Sequence, residues 1–313
     1  MTPRELLDRV DRWQRRRPVV GFPFAVAKRY GEDHGGWLGG IVTYYGFFAL
    51  APLHAVVMTV LAVVFEDEPS RRDRVLAAIR EVLPFVGQDM QQSLAPIVGN
   101  PMAIVVGVVL ALWGGINAMR AGQDTMNRMW GVPRYRRPGF ARAAVRGTVV
   151  LGLLAVGLVA TGVVAGITIG QQLPLLAAST TALVSCAANT AIAIALFRLL
   201  VSRPLAVREL LPGAVLVGIG SYALTFAGGL YVQHVVAGAS SLYGSFATMV
   251  GLFAWIALLV QTVVYGTLVN VVRVERLWPR SLTRRDLGDG DLRAAELTAT
   301  RAALMAAIPP DGR

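Results

Sequence analysis

Long apolar runs without a charged residue dominate the pattern of the chain. Leu38 to Phe65 carries no Asp, Glu, Lys or Arg, and it exceeds the roughly 20 apolar residues that a helix needs to cross a bilayer. Two longer runs, 147–197 and 210–272, are each too long for one helix, and each is interrupted by polar or helix-breaking residues. The pattern predicts an all-α, polytopic membrane protein with six transmembrane helices, at about 38–65, 102–119, 147–169, 174–197, 211–232 and 246–272.

An amphipathic segment precedes the first span. Leu6, Leu7, Val10 and Trp13 recur at helical spacing among arginines, which predicts a short helix lying in the membrane interface. The tail contains Asp291, an expected N-cap for a short cytoplasmic helix over Leu292–Ile308; the alternative is a disordered tail. The chain therefore divides into an N-terminal segment at 1–37, a transmembrane domain at 38–273 and a tail at 274–313.

Composition supports this division. Hydrophobic residues make up 55% of the chain, charged residues only 16%, and the mean hydropathy is +0.55. A soluble domain has about 25% charged residues. These values exclude disordered chains and small disulfide-stabilised domains, and they favour an integral membrane protein.

The positive charge is distributed unevenly between the predicted loops. With both termini in the cytoplasm, 26 of the 30 basic residues lie on the cytoplasmic side, as the positive-inside rule requires. We therefore expect a plasma (inner) membrane protein with both termini cytoplasmic. The net charge of +11 then acts as an orientation signal that also favours anionic inner-leaflet lipids as partners. We expect no nucleic-acid partner, because no basic soluble module with interleaved aromatics occurs.

A polar stripe continues from the second predicted span. Asn117, Arg120, Asp124, Asn127 and Arg128 follow helical spacing along one face. Arg120 and Asp124 are spaced to pair, and an arginine there is suited to an anionic head group. The alternative is a helix that leaves the membrane and becomes solvated, with Arg120 as an orientation anchor.

Three residues of the first span are weaker candidates for binding. His54 follows Pro52 by two residues, so it is either a proton relay or a cap for carbonyls that the proline frees. Tyr44 and Tyr45 either line a cavity or anchor the span at the membrane interface. Elsewhere, Gln261 and Asn270 are expected to form hydrogen bonds between helices.

Signatures of enzymes are absent from the sequence. The chain has three histidines and one cysteine, Cys186, and it lacks the metal, nucleophile and phosphate-loop motifs HExxH, CxxC, GxSxG and GxxxxGK[ST]. No acidic residue falls within a predicted span, whereas a two-metal nuclease needs several clustered carboxylates or histidines. We therefore expect neither enzymatic activity nor a cofactor.

Three stretches carry a family resemblance. They are TYYGFFALAPLHAVVMTVLAVVF at Thr43–Phe65, WGGINAMRAGQDTMNRMWGVP at Trp113–Pro133, and Leu211–Asn270, where LPGAV and YGSF open the last two spans. In order, spacing and span number the chain resembles the YihY/BrkB family of six-span inner-membrane proteins, once mislabelled ribonuclease BN. The stretches RYGEDHGGWLGG and GGIN favour its YhjD-like branch.

One position departs from the family pattern. The last span of the family commonly ends in Gly-Ala-Glu-Leu-Asn, whereas residues 266–270 read GTLVN here, with Leu268 in the place of the acidic residue. Any role of that glutamate is therefore not carried over to this chain.

The resemblance implies a role in the cell envelope and, for the YhjD-like branch, transport of lipid or lipid-linked material. We therefore expect a secondary transporter or a flippase-like exporter of a lipid or an amphiphilic anion. The alternatives are a non-transporting envelope assembly or scaffold protein and a membrane-embedded enzyme. A polar, arginine-lined cavity between helices would favour transport, and a solid bundle would favour the scaffold. The sequence is compatible with either a monomer or a homo-oligomer.

Overall fold

The structure is a computed structural model, and it describes residues 3–64, 101–139, 141–150, 152, 175–231, 244–282 and 287–306. Within these residues the chain forms helices and connecting turns without a strand, so the expected all-α fold class is confirmed. The helices are α1 (Pro3–Arg16), α2 (Pro18–Glu32), α3 (Gly35–Val64), α4 (Pro101–Met129), α5 (141–150), α6 (Leu175–Leu200), α7 (Val207–Tyr231), α8 (Gly244–Val274) and α9 (Asp289–Ala306).

The last long helix, α8, is central to the bundle. It packs along α7, α3 and α2, while α3 packs along α4 and α6 along α7. The shared apolar core includes Phe197, Leu210, Leu268 and Val271, none of which is exposed to solvent. Leu268, at the position where the family motif has a glutamate, therefore fills apolar space in which an unpaired carboxylate would be costly.

Two glycines allow α7 and α8 to approach backbone to backbone. A Cβ atom on Gly213 would lie 2.0 Å from the carbonyl oxygen of Gly266, and one on Gly266 would lie 2.7 Å from that of Gly213. Asn270 adds a hydrogen bond, because its Oδ1 accepts the backbone N–H of Gly213 at 2.8 Å. This contact confirms Asn270 as an interhelical hydrogen-bonding residue.

The end of α4 follows from its sequence. Gly131 has a φ of 66°, a left-handed conformation that glycine adopts at no steric cost. The N–H of Val132 bonds to the carbonyl of Asn127 at 2.8 Å, and the N–H of Gly131 bonds to that of Arg128 at 3.0 Å. These two bonds form a Schellman cap, and Pro133 then prevents the helix from continuing.

Three of the described helices contain a segment long and apolar enough to cross a membrane: Ala182–Leu200, Val207–Thr225 and Met249–Val274. They lie in α6, α7 and α8 and support a membrane protein. The predicted span at 147–169 lies mostly outside the described residues, so the total of six stays a prediction. α4 continues beyond its predicted span to Met129, which places the polar stripe on one continuous helix.

The N-terminal segment and the tail pack together. Lys28, the only lysine of the chain, donates to Asp291 at 2.9 Å and to the carbonyl of Ser281 at 2.8 Å. Arg280, only 2% exposed, contacts Glu32 and lies 2.8 Å from Asp291. The Lys28–Asp291 and Arg280–Glu32 pairs, 263 and 248 residues apart in sequence, join two segments that local sequence patterns do not connect.

Candidate functional site

A polar pocket of about 400 Å³ lies between α3, α4 and the segment that leads into α5. The continuous helix α4 brings most of the predicted stripe into it, because residues three and four apart share a face. The pocket combines four of the five stripe residues with one tyrosine of α3: Asn117, Arg120, Asp124, Asn127 and Tyr45.

Arg137 also lines this pocket, although its place in the sequence predicts only an orientation charge. It contacts Asp124 through Nη1 and donates from Nε and Nη2 to the carbonyl of Val132, at 3.1 and 3.0 Å. Burial lowers the pKa of Arg137 from its ordinary value, and the neighbouring Asp124 partly opposes that shift. A guanidinium remains charged under these conditions. The pocket is therefore lined by two positively charged side chains, Arg120 and Arg137.

Asp124 is the anionic centre of the pocket. Besides Arg137, it accepts a hydrogen bond of 2.7 Å from Nε of Arg128. Arg128 itself is exposed and does not line the pocket. Asp124 therefore holds charged side chains from two parts of the chain at the edge of the pocket, where an incoming anion would compete with it for a guanidinium.

The two asparagines of the stripe have different environments. Asn127 is buried and joins α4 to the end of α6: its Nδ2 donates to the carbonyls of Gln123 and Leu200, and its Oδ1 accepts the N–H of Ser202. Asn117 is less buried, and its Nδ2 donates to the carbonyl of Trp113 at 2.8 Å. Asn127 thus joins two helices within the protein, whereas the hydrogen bond of Asn117 stays within α4.

The candidate residues of α3 lie in different environments. Tyr45 lines the pocket, but Tyr44 is 53% exposed and packs against Tyr45 and Phe48, with ring centroids 5.4 and 4.8 Å away. This exposure suits an aromatic anchor at the membrane interface. His54 belongs to α3, but its side chain lies outside the described part of the chain.

A second cavity of about 400 Å³ lies among α3, α4, α6, α7 and α8. Its walls are mostly aliphatic side chains with one tryptophan, Trp255. The few polar groups that face it are small hydroxyl or amide side chains: Thr125, Asn189, Ser221, Thr225 and Thr267. No local sequence pattern predicts this cavity, because residues from five separate helices form it.

The two cavities lie on different faces of the same helix pair. In α3, Tyr45 lines the polar pocket and Gly46 the apolar cavity; in α4, Arg120 lines the first and Met119 and Gly122 the second. Neighbouring residues of a helix point about 100° apart, which explains how one helix serves both. The arrangement offers cationic groups to an anionic head and, across α4, apolar space to a hydrocarbon chain.

A family model described as "Virulence factor BrkB" matches residues 26–286. This range covers most of the chain, including every candidate residue discussed above. The match confirms the resemblance to the YihY/BrkB family, while the YhjD-like branch stays a prediction. No curated protein and no solved structure matches the chain.

Proposed function

Because the chain belongs to the BrkB family, we propose that this membrane protein moves a lipid or another amphiphilic anion across the bilayer, as a secondary transporter or a flippase-like exporter. The observation that carries the proposal is the polar pocket with Arg120 and Arg137 beside an apolar cavity. A guanidinium binds phosphate or carboxylate through two parallel hydrogen bonds. The adjacent cavity provides the apolar environment that the rest of an amphiphile requires.

The location we propose is the plasma (inner) membrane, with both termini in the cytoplasm. The support is the distribution of Lys and Arg, which places 26 of 30 basic residues on the side of the termini. In this orientation the C-terminal end of α4, and with it the polar pocket, lies towards the cytoplasm. An anionic lipid of the inner leaflet would then reach Arg120 first. The proposal assigns no enzymatic step, cofactor or nucleic acid to the chain.

A scaffold function is the second candidate. It is favoured by the contact between Gly213 and Gly266, where α7 and α8 meet backbone to backbone. Such contacts make a rigid bundle with little freedom to alternate between two states. The two candidates differ in a measurable way, because a scaffold has no need of an anion site at Arg120.

Arg120 is the residue on which the transport proposal is tested. The test measures retention of phosphatidylglycerol and of phosphatidylcholine by native mass spectrometry of the purified protein. Arg120→Ala is expected to weaken phosphatidylglycerol binding about tenfold or more, since it removes charged hydrogen bonds. Arg120→Lys should lose an intermediate amount, because it keeps the charge without the bidentate geometry. Asp124→Asn should do less harm or tighten binding, because a competing anion is removed.

The matched control is Arg208→Ala. Arg208, near the start of α7, is an exposed arginine like Arg120, but it does not line the polar pocket. The Arg208→Ala substitution should leave retention of both lipids unchanged. If Arg120→Ala retains as much phosphatidylglycerol as Arg208→Ala, the pocket is not an anion site and Arg120 is only an orientation anchor.

A further inference from the structure

Helix α1 is fixed to the tail by its polar side. Asp11 and Gln14 are both buried: Oδ1 of Asp11 accepts the backbone N–H of Leu282 at 2.8 Å, and Nε2 of Gln14 donates to the carbonyl of Arg280 at 2.6 Å. Most buried carboxylates and amides are held by hydrogen bonds of this kind. These contacts therefore fix the rotation of α1 about its own axis.

With that rotation fixed, the apolar edge of α1 faces away from the protein. Val10 is 49% exposed and Trp13 is 47% exposed. Beyond the end of α1, the Arg17 guanidinium lies 5.1 Å from the centre of the Trp13 ring, and Val19 is 85% exposed. Exposing several large apolar side chains to water costs free energy. This edge of α1 is therefore more stable in an apolar environment.

A row of cations follows next around the same helix. Arg9, Arg12 and Arg16 are all exposed. At about 100° per residue, Val10 and Trp13 lie between the side that contacts the tail and this row of arginines. The exposed sector of α1 is thus apolar next to the side that contacts the tail and basic beyond it.

We propose that α1 lies in the plane of an anionic bilayer surface, with Val10 and Trp13 inserted among the lipid chains and Arg9, Arg12 and Arg16 at the level of the phosphates. An in-plane helix has an apolar sector that enters the lipid and a basic sector beside it, and the positive charge matches anionic head groups. The tail, through Leu282 and Arg280, presents the correct edge of α1 to the lipid. The inference does not depend on whether the protein transports anything.

The test measures the depth of spin labels on the full-length protein in vesicles. In a Cys186→Ser background, labels at Val10→Cys and Trp13→Cys are compared with a matched label at Arg12→Cys. Collision with oxygen reports immersion in lipid, and collision with a water-soluble nickel chelate reports exposure to water. The vesicles contain phosphatidylglycerol mixed with phosphatidylcholine. In them, labels at positions 10 and 13 should collide mainly with oxygen, and the label at position 12 should collide mainly with the nickel chelate.

The lipid charge supplies the second arm. Each arginine near an anionic surface strengthens binding by about fivefold, so immersion at 10 and 13 should decrease in phosphatidylcholine alone and in Arg9→Gln/Arg16→Gln. Equal water exposure at positions 10 and 12 in both kinds of vesicle would overturn the proposal. Immersion that is unaffected by lipid charge and by the double substitution would overturn its anionic part.

Discussion

At the scale of single residues, Asp291 joins the tail to the N-terminal segment through Lys28 and also binds backbone N–H groups of the tail itself. It accepts hydrogen bonds from Lys28, from the N–H of Ser281 at 2.7 Å and from the N–H of Gly288 at 3.1 Å. Burial by itself would raise the pKa of Asp291, but these hydrogen bonds bring it below its ordinary value. The ionised carboxylate therefore stabilises the contact between the two segments.

The pKa of Asp291 predicts how this contact depends on pH. Because the folded-state pKa lies below the unfolded value of about 3.9, the stabilisation is complete above that value and is lost as the pH falls through the folded pKa. At neutral pH, Asp291→Asn should cost about 1.5–3 kcal/mol, the range for hydrogen bonds to a charged group. Amide hydrogen exchange of residues 280–294 should then become faster.

The control for Asp291 is Asp289→Asn, an exposed aspartate at the start of α9. It should leave hydrogen exchange of the tail unchanged. A second comparison, thermal unfolding at neutral and at acid pH, should show the difference between wild type and Asp291→Asn shrinking below about pH 4. A difference that stays constant with pH would show that the charge of Asp291 is not responsible.

Single residues also show how much of the site the sequence could predict. Helical spacing placed Asn117, Arg120 and Asp124 on one face, and the structure brings them into one pocket. Spacing could not reveal Arg137, because it reaches Asp124 only after the chain has turned at Gly131. Local periodicity carries no information about such a return of the chain.

At the scale of elements, the contact between α7 and α8 depends on glycine. A Cβ atom on Gly213 would come within 2.0 Å of the Gly266 carbonyl oxygen and within 2.5 Å of Nδ2 of Asn270. We expect Gly213→Ala to reduce the free energy of unfolding by at least about 1–3 kcal/mol, as overpacking does, because neither backbone can move alone. Thermal unfolding in detergent measures this loss.

Gly40 is the matched control for Gly213, since it also lies within a helix but a Cβ atom there would meet nothing within 4 Å. Gly40→Ala should be neutral or stabilising by about 0.5–1 kcal/mol, because alanine is the better helix former. Equal unfolding temperatures for the two variants would mean that α7 and α8 are not in backbone contact.

Element bounds were predictable where the physics is local. Charge-free runs indicated α6, α7 and α8, and the Trp-Gly-Val-Pro sequence at Trp130–Pro133 explains the end of α4. The packing partners of each helix were not predictable, apart from single polar residues. Gln261, expected to bond between helices, accepts the hydroxyl of Tyr30 at 3.0 Å, but its sequence position gave no indication that α2 is the partner.

At the scale of the whole molecule, the distribution of charge predicts the topology. Reporter fusions after residue 135, after residue 205 and at the C-terminus should report the cytoplasm. Fusions near 90 and 238 should report the opposite side, because the loops there carry few basic residues or none. A signal from the outside at 205 would contradict the six-span topology, since the number of crossings before that point would then be odd.

The whole molecule also shows what separates a transporter from a scaffold. Binding of an anionic lipid alone fits both functions, whereas only a transporter carries the lipid from one leaflet to the other. The polar pocket and the apolar cavity lie on different faces of α3 and α4, so movement of a lipid would engage both faces. The pocket arginines should then be required for transfer.

The most direct measurement of the central claim is leaflet exchange of fluorescent phosphatidylglycerol in proteoliposomes, with an impermeant reductant to bleach the outer leaflet. We predict that wild-type protein, with or without an imposed pH gradient, lets the reductant bleach lipid that began in the inner leaflet. Arg208→Ala should do the same, and Arg120→Ala should protect the inner leaflet as protein-free vesicles do. If wild-type protein retains phosphatidylglycerol in mass spectra yet exchanges none under either condition, the transport proposal is contradicted and the scaffold function is favoured.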